Sequence, residues 1–384
     1  MKTTTLRSIR EIDSEIWNSI VGRNRLICRH EYLLAVESSK INDCQYFYPI
    51  VYDENGRMLA HACLYYISTE LDSFAQGIAK KIITGIRKFW KSFMILRSIE
   101  CGTPVALGNT ISFAEGVDQV AALEAIVQAA EAVARGMQVK VVLFRDFFNH
   151  ERGAFDRLLG WGYHMVGNLP TTHLEMRWHS FDAYLNAMRR PYRRRIQKDM
   201  RALNLPEVSV EVVTDFASLA GELVELWNNV FDKAKEYKRE RLTAEMFIHI
   251  SDLLAAKSSV LLIKVHGRVA AFALLLYDDD VLIPLFCGID YRHNEKYSLY
   301  MNLMNYEVKH AIEKQVRILD LGITTLRPKQ EMGAGVEELL MYMKHLNPLL
   351  NGVVPAAFRM MTPASDPAKL RVFKSEGEID DPQH

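Results

Sequence analysis

Two stretches of the chain carry the same alternation of apolar and polar positions. Residues 46–66 read as two β-runs on either side of Asn55 and Gly56, and residues 260–277 as two β-runs around His266 and Gly267. Both turns offer a residue that takes positive φ cheaply, which a tight hairpin requires. After each hairpin the pattern predicts a third apolar run, a helix, a buried strand and another helix. A repeat of a whole supersecondary unit decides architecture before any single residue does. The pattern therefore predicts an α/β chain, with mixed sheets of α+β type, built as two similar modules in tandem.

In the first module, 104–107 and 110–113 read as short β-runs. Residues 118–135 place Leu123, Ile126, Val127, Ala130, Val133 and Ala134 on one helical stripe, with Gly136 as a C-cap. The continuous β-branched run 139–144 predicts a buried strand. A short helix at 155–159 follows, then closing strands at 160–166 and 172–178. In the second module, 216–231 is helical, with Leu219, Leu223, Leu226 and Trp227 on one side. A strand at 281–289, a helix at 298–314, a strand at 316–321 and a helix at 337–345 complete it. The expected organisation is a first module over 1–178 with an insertion at about 71–100, a second over 179–361, and a loose polar tail over 362–384.

Composition narrows the field. A chain of 384 residues is too long for one ordinary core. With 49% hydrophobic and 24% charged residues, it has a soluble globular composition. Lys plus Arg and Asp plus Glu both number 47, so any anion-binding role needs a local patch, and DNA is not an expected partner. The five cysteines are scattered, with no CxxC, no Cys/His cluster, no HExxH and no paired histidines. That spacing predicts no metal site and no disulfide framework, and it fits a reducing compartment. The first residues open no apolar stretch of signal-peptide length, and no run is long enough to span a bilayer, so the expected location is the cytoplasm.

The element order resembles the GNAT superfamily of N-acetyltransferases. The phrase over 155–163, a helix running into Gly160, Trp161, Gly162 and Tyr163, resembles a junction common there. Two such modules joined by 180–185 and a basic helix, with 300–322, Lys329, Gly333 and Ala334 following, resemble the FemABX-like and BioF2-like acyltransferase branch. The resemblance implies an N-acyltransferase that moves an acyl group from acyl-CoA or a carrier-bound thioester to an amine of a small-molecule or peptide-like acceptor. It also leaves two alternatives: an aminoacyl-tRNA-dependent FemABX-type transferase, and a catalytically inactive pair that only binds a ligand. An acyl carrier protein or a tRNA is then a possible partner.

GNAT proteins hold the thioester in a gap between two splayed parallel strands, with the pyrophosphate on the backbone N–H groups of the next loop and helix N-terminus. The corresponding segment of the second module is 290–298, where Lys296, Tyr297 and Ser298 would present N–H groups and Arg292 or Lys296 would pair a phosphate. The family's glycine-bearing loop is absent, and a plain solvated loop is the alternative. In the first module Glu115 and Asp118 put carboxylates at the equivalent place, so that module reads as degenerate and the second as active.

Transfer to an amine needs a proton acceptor and support for a tetrahedral oxyanion. By the resemblance, Asp320 ends the strand that opens into the cleft and would take or orient the amine's proton. Tyr297 and Tyr306 are the candidate proton donors to the leaving thiolate. Lys329 is the candidate for an acceptor carboxylate or phosphate. The plainer roles are a turn cap for Asp320, packing for Tyr306 and core for Cys287.

Two charged segments complete the reading. A helix starting near Pro191 puts Arg194, Lys198 and Arg201 along one face and Ile196 and Met200 inward. That face suits phosphates of CoA, of a nucleotide-linked substrate or of tRNA, and equally a solvated linker. In 78–94, Lys80, Lys81, Arg87, Lys88 and Lys91 oppose an arc containing Ile82, Ile86, Phe89, Trp90 and Phe93. Such a helix contacts a membrane surface peripherally or covers a cleft.

Overall fold

The computed structural model describes residues 1–70, 95–234, 239–356 and 370–374; the amphipathic 78–94 lies outside them. The chain divides into two compact units. Unit 1 comprises Met1–Asn168, Lys233–Met246 and Leu339–Pro363, and unit 2 comprises Leu169–Asp232, Phe247–Glu338 and Ala364–His384.

Unit 1 is built on a mixed sheet. Strand β1 (Lys2–Leu6) pairs antiparallel with β2 (Gln45–Tyr52), and the predicted hairpin returns through β3 (Met58–His61) and β4 (Leu64–Glu70). The turn is locked by Asp53, whose carboxylate accepts from the N–H groups of Asn55 and Arg57, while Gly56 supplies φ 81°. Strand β5 (Ile95–Cys101) pairs with β4, so the end of the expected insertion belongs to the sheet. Only Ser112–Phe113 (β6) of the two short β-runs is a strand; Thr103 instead turns 104–107 by accepting from the Ala106 N–H.

Helix α1 (Gln119–Gly136) is capped by Asp118 and buries the predicted stripe. Its stop lies beyond the expected C-cap: Gly136 is helical, and Gln138 takes the positive φ of 57° while the Val139 N–H closes on the Ala134 carbonyl. Two short helices, Arg152–Phe155 and Arg157–Gly160, stand where one was expected. Strand β7 (Val141–Phe148) pairs parallel with β5, from Ser98↔Val141 to Cys101↔Phe144.

The predicted helix over 337–345 is a strand. Leu339–His345 (β16) lies between β7 and β8 (His164–Gly167) in unit 1. Its residues 339–343 are all buried. A strand covered on both faces loses the alternation that marks a half-exposed one and looks like a buried helix segment.

Unit 2 holds a second mixed sheet. The hairpin of β11 (Ser258–Val265) and β12 (Arg268–Asp278) turns at His266 and Gly267, with φ 50° and 77°, as a two-residue primed turn demands. The strand order is β10 (Val208–Val213), β11, β12, β13 (Val281–Ile289), β14 (Ile318–Gly322), β9 (Thr171–Glu175) and β15 (Gly335–Glu337). The run expected to close the first sheet therefore sits in the second, where Leu174 opposes Leu319. Helices α2 (Arg190–Arg201), α3 (Ala220–Lys233), α4 (Tyr291–Tyr297), α5 (Leu299–Glu313) and α6 (Leu326–Glu331) accompany it.

The tail is not loose throughout. Val372 is 4% exposed and its carbonyl accepts from the Arg189 N–H at 2.8 Å. Phe373 packs on Trp178 at 4.9 Å and fills the space beside Gly333, where a Cβ would lie 2.3 Å from the ring.

Gly288 marks how closely α3 lies on β13. A Cβ there would come within 2.2 Å of the Phe272 ring and 2.7 Å of the backbone of Leu226 and Trp227. A ring can turn aside, but two backbone atoms move only with the helix. Gly288→Ala is expected to cost about 1–3 kcal/mol through overpacking, read as a lower urea midpoint with unchanged slope; an unchanged midpoint would refute the close approach.

Candidate active site

The second sheet opens at its only parallel pair among the described residues. Strands β13 and β14 are paired at Val281↔Ile318 and Leu282↔Leu319, after which β13 runs on to Ile289 without this partner. Helix α5 packs on β11 through β14 and presents Glu307 on a buried face. Around this opening Lys329 of α6 interacts electrostatically with Cys287 of β13, Glu307 of α5 and Asp320 of β14.

Lys329 is the centre of the group. It is 7% exposed, and its ammonium donates to the carbonyls of Gly322 at 3.1 Å and Ile323 at 2.7 Å. Those carbonyls are aimed by an unusual turn: Gly322, Thr324 and Thr325 have φ of 68°, 64° and 50°. Positive φ is costly for β-branched threonine, so the turn stores strain to hold the lysine. Burial pushes the Lys329 ammonium down to about 8, against the opposing pull of Glu307 and Asp320.

Asp320 lies on β14. Its carboxylate accepts from the Gly322 N–H at 2.9 Å and from the Thr171 hydroxyl at 3.4 Å, capping the strained turn. Burial raises its pKa, although the Gly322 N–H and Lys329 oppose that rise. Glu307, which the sequence reading passed over, has no hydrogen-bond partner among the described residues. Burial pushes its carboxyl up to about 7, with Lys329 pulling the other way. Burial likewise pushes the Cys287 thiol up to about 12, which is unsuited to a nucleophile.

The other predicted residues are placed elsewhere. Residues 291–297 form a helix, not a loop. Asp290 caps its N-terminus and binds the Arg292 guanidinium through both oxygens, so Arg292 and the first N–H groups already face a carboxylate. Lys296, Tyr297 and Ser298 stand at the far end, where the Ser298 N–H is taken by the Asn294 carbonyl. Tyr297 is 1% exposed, and its hydroxyl donates to Glu207 and accepts from Lys296. It does not meet Asp320. Tyr306 is half-buried beneath the Lys309 ammonium, 5.5 Å from its ring.

Helix α2 forms as predicted, with Ile196 buried and Met200 packed on the core. Arg194, Lys198 and Arg201 are exposed and without partners among the described residues, whereas Arg195 pairs with Glu331.

Unit 1 has the same opening, where β7 outruns its pairing with β5. Here carboxylates and guanidinium groups face one another. Glu100 accepts from the Tyr65 hydroxyl at 2.6 Å and the Ser98 hydroxyl at 2.8 Å, and it pairs with Arg145 and Arg239. Burial alone would raise the Glu100 carboxyl, but the two guanidinium groups outweigh it and hold it at about 2. Arg145 also lies 3.0 Å from Asp146, which takes φ 64° in a bulge opposite β16 and accepts from the Asn168 amide at 2.6 Å.

A mixed sheet opened at a parallel strand pair and crossed by a helix, present twice in one chain, is the tandem GNAT fold. Residues 8–325 match the FemAB-like family, described as peptidoglycan biosynthesis or recognition, and the chain belongs to that family. Among solved structures it is similar to FemX, with TM-score 0.56 and 12% identity, covering 92% of this chain and 100% of that one. It is also similar to the "C-terminal Domain (DUF2156) of Putative Lysylphosphatidylglycerol Synthetase from Agrobacterium fabrum", with TM-score 0.52 and 14% identity over 91% and 97% of the two chains. A tandem GNAT protein of the clavulanic acid biosynthesis pathway gives TM-score 0.50 and 9% identity over 90% and 99%. A Mycobacterium tuberculosis protein named "Putative 8-amino-7-oxononanoate synthase 2" is 26% identical over 321 residues, 82% of this chain and 42% of that protein. The chain thus spans less than half the length of the curated relatives it matches.

Proposed function

We propose that the chain transfers an acyl group from acyl-CoA or a carrier-bound thioester to an amine of a small-molecule or peptide-like acceptor, with unit 2 carrying the chemistry. The observation that carries this reading is the buried Lys329 at the strand opening. An ammonium has three donors, and two are spent on Gly322 and Ile323. The third is available to an oxygen that gains charge. When an amine attacks the acyl carbonyl, the oxygen becomes an oxyanion, and a preorganised cation in a dry setting stabilises it far better than in water. Asp320 serves as a positioning residue that fixes the turn. The internally paired charges of unit 1 support a structural role for that half.

The test is a mass measurement. Acyl-CoAs, carrier-bound thioesters and charged tRNA are incubated with the protein and a panel of amines, and each amine is weighed. A gain equal to one acyl group, with matching release of the donor's leaving group, supports the proposal. No gain with any donor, together with ligand-induced thermal shifts, would make the chain a binding protein.

The cations of α2, which have no partners among the described residues, favour a second reading, in which the donor is a charged tRNA. Both readings make Arg194 a phosphate contact. Losing a charge-assisted hydrogen bond costs roughly 1.5–3 kcal/mol, so Arg194→Ala should raise the donor's KM about ten- to a hundred-fold. The loss should shrink as salt rises, and stability should barely change. Normal KM at low salt for the Ala variants of Arg194, Lys198 and Arg201 would make the helix a linker.

A further inference from the structure

We infer that Glu307 is the group that takes the first proton from the acceptor's ammonium, an inference that rests on the transferase reading. Among the acidic groups at the opening, Asp320 is occupied by the Gly322 N–H and the Thr171 hydroxyl. Glu307 is 4% exposed, accepts no hydrogen bond among the described residues, and keeps its carboxyl oxygens unsealed. A carboxyl in that condition costs stability, since little hydration is left to it and no donor of the protein replaces what is lost. An arriving ammonium would supply the missing donor.

The surroundings match that task. Lys329 on α6 is the charged group that acts on Glu307, and the Cys287 thiol on β13 and the Tyr300 hydroxyl on α5 feel its charge. Asp320 on β14 acts on the same Lys329. Burial holds the carboxyl near 7, close to working pH, where a base is ionised yet basic enough to take a proton.

The step balances. The Glu307 carboxylate removes one proton from R–NH3⁺, and the freed lone pair forms the C–N bond as the carbonyl π pair moves to oxygen beside Lys329. That pair returns as the C–S or C–O bond breaks, and the leaving group departs with the bonding pair. The second nitrogen proton neutralises the leaving group, and Glu307 returns its proton to solvent.

The test compares pH profiles of the full chain with any donor–amine pair that the mass measurement supports. The wild type should lose kcat/KM as pH falls through about 7. Glu307→Gln should lower kcat by roughly 10²–10⁴-fold with KM little changed and abolish that limb. Glu307→Asp should keep the limb at a reduced rate, and formate should partly restore Glu307→Ala. A Glu307→Gln enzyme with wild-type rate and an intact limb overturns the assignment while leaving the transferase reading standing. If Glu307→Gln fails to fold, the Asp and formate measurements decide: a missing limb with Asp, or no formate effect, overturns it. A wild type that acylates no amine overturns both.

Discussion

Lys329→Met is expected to slow amine acylation by roughly 10²–10³-fold, the usual loss when one oxyanion donor is removed. The effect should fall on kcat, because the lysine's third donor meets an oxygen that carries full charge only in the transition state. The buried ammonium titrates near 8, so the wild-type rate should decline as pH rises through that value, and the variant's residual rate should lack this limb. The stability readout has its own sign. Folding lowers this lysine's pKa, so its contribution is greatest above about 10.5 and is lost as pH falls to about 8. Methionine removes that dependence, but strands the carbonyls of Gly322 and Ile323. The variant's melting temperature should therefore be lower than wild type at pH 10 and vary less between pH 8 and 10. A variant with wild-type kcat would remove Lys329 from the chemistry.

The largest stability effect is expected in unit 1. Glu100→Gln should cost about 3–5 kcal/mol, since it leaves Arg145 and Arg239 facing a neutral amide in a buried site. Arg145 is 4% exposed, so its charge cannot return to water without opening the sheet. Folding depresses the Glu100 pKa, so this carboxylate stabilises the fold fully above its unfolded value of about 4.5, and that support disappears as pH falls towards about 2. Urea titrations at pH 7 and pH 3 check both statements: the variant should trail the wild type by most at pH 7, and the gap should narrow in acid. Equal midpoints at pH 7 would mean that the network contributes nothing net.

Much of the fold was legible because its signals are local. His266 and Gly267 both need positive φ, and both have it, and the apolar stripe of 118–135 lies on a helix. The pairing of Leu339–His345 with β7 was not legible, since nothing in that apolar run names a partner almost two hundred residues earlier. The opening of β13 and β14 follows from element order, but its chemistry does not. Asp320 and Lys329 are named by the resemblance alone, and they interact. Glu307 was missed because a glutamate in a helix ordinarily marks a solvated face. Here Asn302, Asn305, Glu307 and His310 are buried along with Leu303, Met304 and Val308, so α5 is covered on more than one side. Only packing reveals that. Residues 296–298 can form an anion cradle only as the loop that the element order predicts, whereas Tyr291–Tyr297 is helical and Asp290 occupies its start.

The placement of β9 and β16 bears on how this chain can be made. On a ribosome adding about 5–20 residues per second, roughly 10–40 s separate β7 from the strand that must lie beside it. During that interval Val141–Phe148 exposes an unpaired apolar edge, the kind of edge that recruits other nascent chains. Splitting the gene at the midpoint would make that exposure permanent, because the first half would lack Leu339–His345. Production as two half-length pieces should therefore yield aggregates, and solubility should return only when both halves are synthesised together.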